Sequence, residues 1–170
     1  MILLPAHLRF ALNANGLTGR IHAARDERFD PRPVVKFFNP VGAATWLATE
    51  IDEDGDTLFG LADLGFGCPE LGCFSLREIE DVRLPFGLAI ERDEHFSGLA
   101  PLSVWADMAR RLGTIIQAEA ALRRKARDAR THHPSASPRP DKGDLQPTED
   151  GGQRERPAPP SAANDELPPR

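Results

Sequence analysis

The stretch "ATWLATEIDEDGDTLFGLADL", residues 44–64, decides the fold. Asp52, Asp54 and Asp56 alternate in it, Gly55 separates the last two, and apolar runs lie on both sides. The pattern invites a calcium loop, which needs ligands at positions 1, 3 and 5, Gly at 6 and a bidentate Glu at 12. Counted from Asp52, position 6 is Thr57 and position 12 is Asp63, so the turn residue is missing and the last ligand is short. The flanks have no helical period; "ATWLATEI" and "TLFGLADL" read as strands. Asp and Gly tolerate the left-handed conformations of tight turns, so the stretch predicts a hairpin with a solvated acidic tip and no metal. A turn centred on Asp54 and Gly55 pairs Ile51 with Leu58, Glu50 with Phe59, Ala48 with Leu61 and Trp46 with Asp63. Glu50 and Asp63 then share a face about 13 Å apart, at ~3.3 Å per residue. Paired glycosidase carboxylates sit ~5–9.5 Å apart, so these two are badly placed to act together.

The neighbours extend an antiparallel sheet. "PVVKFF" (33–38) is β-branched and aromatic between Pro33 and Pro40, "ELGCF" (70–74) reads as a fourth strand, and "FGLAIE" (86–91) as a fifth. Upstream, "PAHLRFALNANG" (5–16) predicts a short helix with Leu8, Ala11 and Leu12 as its stripe, stopped by Gly16; residues 17–32 read as a polar loop. Ser75 and Glu78 form a capping box that opens a helix burying Leu76, Ile79 and Val82. From Pro101, Trp105, Met108, Ala109, Leu112, Ile115 and Ile116 keep helical spacing, with Gly113 a point where the helix could split.

The charge of −5 is uneven. Residues 1–112 carry 17 acids against 11 Lys and Arg, 113–130 two against five, and 131–170 seven against five. An acidic chain does not attract nucleic acid phosphates over its whole surface, though the basic helix end "RRKARDAR" (123–130) offers a local exception. Positive charge at a helix C-terminus also compensates the helix dipole. The segment 131–170 is rich in Pro, Ser, Asp and Glu and has Leu145 and Leu167 as its large apolar residues. It cannot bury enough surface to offset its backbone entropy, so disorder is expected there and a single folded domain over 1–130. Pro5 interrupts the apolar N-terminus, and no window reaches the ~18 apolar residues of a membrane span. A cytoplasmic protein with reduced thiols is the expectation.

Candidate chemistry is thin. Cys68 and Cys73 lack the spacing and second ligand pair of a zinc site and read as ordinary buried or half-buried thiols. The glycines of "GFGCPELG" (65–72) lack the Gly-Lys-Ser/Thr ending of a phosphate loop, and no cofactor is indicated. Lys36 sits among apolar neighbours; its stem is expected over the sheet with the ammonium in water. "ERDEHF" (91–96) gathers Glu91, Arg92, Asp93, Glu94 and His95 where a strand should end, a common place for sites.

Four separated blocks carry a resemblance: "PVVKFFNPVGAATWLATEID", "LFGLADLGFGCPELGCFSLREIEDVR", "FGLAIERDEHF" and "PLSVWADMAR". In this order they resemble the domain of unknown function 2958 family, small bacterial proteins often encoded on plasmids and integrative or conjugative elements, over about residues 2–112. The resemblance implies no catalytic mechanism. The matching polar positions, taken as binding candidates, are Lys36, Trp46, Glu50, Asp63, Glu70, Glu91, Arg92 and Asp93. Cys73 and Trp105 stand where family members commonly carry tyrosine. Labels hinting at single-stranded DNA cleavage occur among such relatives.

The expected fold is therefore α+β: an antiparallel sheet of four to five strands packed by two or three helices, with a disordered C-terminal tail. Trp46, Phe37, Leu61, Ile79, Ile90 and Met108 are its core candidates. The expected function is an accessory or interaction protein of a mobile genetic element, with a protein or nucleic-acid partner. The alternative is a metal-assisted nuclease or binder of single strands, with Glu50, Asp63, Glu91 or Asp93 as ligands and Lys36 on a phosphate. Nothing in the sequence sets the oligomeric state.

Overall fold

The computed structural model describes residues 2–131. The tail expected to be disordered lies outside the described residues from 132 onward.

Five strands form one antiparallel sheet in the order β4-β3-β2-β1-β5. They are β1 (Val35–Phe38), β2 (Thr45–Ile51), β3 (Thr57–Asp63), β4 (Glu70–Ser75) and β5 (Glu91–Arg92). Four α-helices accompany them: α1 (Ala6–Ala23), α2 (Leu76–Asp81), α3 (Leu102–Leu112) and α4 (Ile115–Thr131). The α+β class holds, and both faces of the sheet are covered. Val35, Phe37, Ala48, Ile51 and Leu58 pack with Leu12 of α1 and with Leu76 and Ile79 of α2. Leu47 and Leu61 pack on the other face with Trp105, Ala109, Ile115, Ala118 and Leu122 of α3 and α4. Phe37, Leu61, Ile79 and Ile90 are buried as expected. Trp46 and Met108 are partly buried and pack at the margins of the two cores.

The hairpin reading of residues 44–64 is correct, because β2 and β3 flank the acidic tip directly. Its register holds only near the turn. Ile51 pairs with Leu58 and Glu50 with Phe59, but Ala48 meets Gly60, Trp46 meets Ala62 and Thr45 meets Asp63. The shift lies at Thr49, between Ala48 and Glu50. A Cβ at Gly60 would collide with the Leu47 carbonyl, so glycine permits the close backbone approach at this irregularity.

The same irregularity explains why α1 continues through Gly16 to Ala23 instead of stopping. The Val34 amide donates to Ala48 O as β1 begins. Beyond that point Asn15 Nδ2 donates to Thr49 O, and a Cβ at Gly16 would stand 2.8 Å from Ile51 O. Thus α1 covers the part of β2 that β1 leaves unpaired, and Gly16 lets the helix backbone approach. Its intrinsic helix cost of about 1 kcal/mol relative to Ala is outweighed by this packing. The polar loop accordingly begins after residue 24.

Two further expectations are modified, and one is met. Most of the predicted strand 86–91 is irregular: a 3-10 turn at Pro85–Gly87 contains Phe86 at φ 63°, and only Glu91 and Arg92 pair with β1. Gly113, at φ 85°, does split the C-terminal helix, and its amide donates to Ala109 O. Both cysteines are exposed rather than buried. Among the described residues no helix is long and apolar enough to cross a membrane.

Candidate functional site

Lys36 lies opposite Leu47 in the sheet and its side chain meets the α3–α4 layer. It does not end in water: its side chain is 13% exposed. Nζ donates to Asp93 Oδ2 at 3.1 Å and to Glu119 Oε2 at 2.6 Å. Asp93 follows β5, and its amide donates to the Lys36 carbonyl, which fixes the carboxylate beside the ammonium. Glu119 projects from the buried side of α4, between Ala118 and Leu122 in register. Its other oxygen accepts from Arg123 Nε and Nη2 at 2.9 and 2.6 Å.

Two cations and two carboxylates therefore balance across three elements. Burial acts to raise the Asp93 carboxyl. The Lys36 hydrogen bond, the His95 amide and the charges of Lys36 and Arg123 outweigh it and hold the carboxyl below its ordinary value. This network borders a cleft of about 550 Å³ lined also by Phe38, Thr45, His95 and Ile116. An ammonium has three donors, of which two are engaged by the carboxylates. The cleft thus combines polar groups at one wall with apolar surface from Phe38 and a half-exposed Ile116.

Of the predicted positions, Lys36 and Asp93 meet, with Arg92 and Glu91 adjacent to Asp93 in the chain. Arg92 Nη2 donates to Glu94 Oε1 at 2.9 Å, while its Nε has no partner among the described residues. Glu91 pairs with Phe38 in the ladder. The others serve elsewhere. Asp63 is fully buried, and its carboxylate accepts from the amides of Gly65 and Ile115, so it anchors the start of α4. Glu50 lies against Gly19 of α1; burial raises its pKa, partly opposed by the Arg20 charge. Trp46 packs against the core beneath α1 and α2, and Glu70 is exposed at the start of β4.

At the acidic tip Asp54 is satisfied locally and Asp56 by the start of α2. Asp54 accepts from the amides of Asp56 and Thr57 and from the Thr57 hydroxyl. Asp56 accepts from the Ser75 hydroxyl and the Arg77 amide and so joins the capping box in holding the start of α2. Among the described residues no three His, Cys, Asp or Glu side chains are grouped to hold a metal ion.

Sequence reasoning missed Glu119, Arg123 and Ile116 as members of the site, whereas His95 stands in the charged run 91–96 singled out from the sequence. One signal was available. Ile115, Ala118, Glu119 and Leu122 follow i, i+3, i+4, i+7 spacing, so a carboxylate stands on the buried stripe of a helix. A buried carboxylate requires a partner, and the lysine inside the apolar strand is the complementary oddity.

The described residues form an α+β fold whose antiparallel sheet carries a charge-balanced ion network near one edge. The chain belongs to the family described as "Protein of unknown function (DUF2958)", whose model matches residues 3–116. Lys36 and Asp93 lie inside that span, whereas Glu119 and Arg123 lie just beyond it. No curated protein and no solved structure matches the chain.

Proposed function

We propose that this protein is a cytoplasmic interaction module, accessory to a mobile genetic element, that holds a segment of a partner protein in the Lys36–Asp93 cleft. The element context comes from the family resemblance. The observation that carries the binding reading is the pairing of Lys36 with Asp93 and Glu119 beside Phe38 and Ile116. Two of the ammonium's donors are engaged by carboxylates; its remaining N–H suits a backbone carbonyl, and the apolar wall suits a side chain. The test combines two measurements. Photo-crosslinking from Asn39 at the cleft should give one discrete protein adduct that Ile116→Asp abolishes. Nucleic-acid turnover with Mg²⁺ or Mn²⁺ should show no component sensitive to Lys36→Ala. Turnover that Lys36→Ala or Glu91→Ala removes would replace this reading with the nuclease.

A second reading is favoured by α4. Arg123, Arg127 and Arg130 recur at i, i+4, i+7 and border a groove of about 310 Å³ with Ser97 and Leu99. Such a row matches a phosphodiester backbone, and its affinity for a single-stranded oligonucleotide should fall with salt at a log–log slope of ~0.7 per phosphate engaged. Arg127→Ala with Arg130→Ala should weaken that binding at least about tenfold. No measurable binding at low salt removes the reading.

A further inference from the structure

Helix α1 has two apolar faces, and the described residues cover only one of them. Leu8, Leu12 and Gly16 face inward, with Asn15 bonded to β2 and Arg9 to the hairpin tip. On the opposite side Phe10, Leu17 and Ile21 are 75%, 55% and 45% exposed, and Ala14 is exposed between them. Residues 10, 14, 17 and 21 follow the alternating four-and-three spacing of a heptad seam, which keeps one stripe facing a second helix. Solitary exposed apolar residues are ordinary, but a stripe running about 16 Å along one helix at 1.5 Å per residue is a contact surface.

We infer that this stripe is the interface of a homodimer in which two copies of α1 pack antiparallel about a two-fold axis between Ala14 and Leu17. In that arrangement Phe10 meets Ile21 of the second copy and Ala14 meets Leu17, so a large residue faces a small one at the centre. A parallel pair would place Ala14 on Ala14, leaving a hole at the centre of the seam. The antiparallel pair sets Asn13 beside Arg20 and Ala11 beside Thr18, with no like charges opposed. Arg20 is already compensated by Asp52 and Glu53 at 3.6 and 3.2 Å, so the rim does not call for a charged partner. A self-complementary, charge-neutral stripe is what an isologous contact requires. One helix per copy buries less than the ~800 Å² of a standard interface, so the dimer is reversible, dissociating in the micromolar range or above.

The experiment is sedimentation equilibrium of the full chain across a wide concentration range, with Leu17→Asp beside it. The native chain should pass from monomer to dimer, and Leu17→Asp should weaken dimerisation at least about tenfold. At a concentration where both chains are monomeric, an unchanged circular dichroism spectrum and Tm for Leu17→Asp confirm that the fold is intact, since Leu17 is already 55% exposed. Orientation is read by mixing Ala14→Cys with Leu17→Cys chains, each carrying Cys68→Ser and Cys73→Ser. Oxidation should join position 14 to position 17 and give little 14–14 product. A chain monomeric throughout would point to a different protein on this stripe and overturn the inference. A dimer indifferent to Leu17→Asp, or one giving mainly 14–14 crosslinks, would overturn it equally.

Discussion

The acidic hairpin tip and the Lys36 network are both clusters of charge, yet they are built in opposite ways. At the tip, Asp54 finds its donors two and three residues away, in Asp56 and Thr57. In the network, Lys36 meets carboxylates 57 and 83 residues away. The tip carboxylates are solvent-exposed and organise a turn and a helix start, whereas the network is largely removed from water and ties β1, the end of β5 and α4 together. Asp54 shapes the turn from within it. Asp56, through Ser75 and Arg77, and still more the Lys36 network join elements distant in the chain, and the network borders a cleft. The charge density of a stretch is thus a poor guide to function, and an isolated charge within an apolar pattern is a better one.

The strongest way to break this contrast is Glu119→Ala. It leaves the little-exposed Lys36 with Asp93 alone, and breaking a buried pair by removing one partner is expensive. A loss of about 3 kcal/mol is expected in urea unfolding. A sharper measurement is the double-mutant cycle of Lys36→Ala and Glu119→Ala, where a coupling of about 2 kcal/mol is expected. The matching cycle of Asp54→Ala and Thr57→Ala at the exposed tip should give a distinctly smaller coupling. Equal couplings would remove the distinction between the two clusters. Next in size, Ser75→Ala should cost about 1 kcal/mol, because the Glu78 amide loses its cap and Asp56 loses a donor.

Acid should weaken both clusters in the same direction. Asp54, Asp56 and Asp93 all have folded-state pKa values below the ordinary 3.8. Their contribution is present above that value and is lost as pH falls through the folded-state values, because the unfolded chain takes up protons first. Urea midpoints should therefore drop in that acid range, with a shallower drop in Asp93→Asn. Glu50 has the opposite sign. Its folded pKa is raised above 4.5, so its favourable contribution lies below that value and disappears as pH rises through the folded one. At neutral pH its ionised form opposes folding, and Glu50→Gln should raise the midpoint slightly, by less than about 1 kcal/mol given its partial exposure.

The sequence by itself determined what neighbouring residues can decide: the hairpin at 52–57, the strands beside it, the capping box at Ser75 and the helix break at Gly113. Period, turn residues and caps act over a few positions, so these features are written where they occur. The register beyond Thr49, the passage of α1 through Gly16 and the loss of most of the 86–91 strand depended on what lay opposite. A missing Cβ permits close contact only once a carbonyl is there to be approached, and an edge segment pairs only where the neighbouring strand reaches it. The candidate site belongs wholly to this second kind. Lys36 and Glu119 were visible as charges on apolar stripes, but only the fold, by laying α4 across the sheet, supplied each with the counter-charge that makes its burial tolerable.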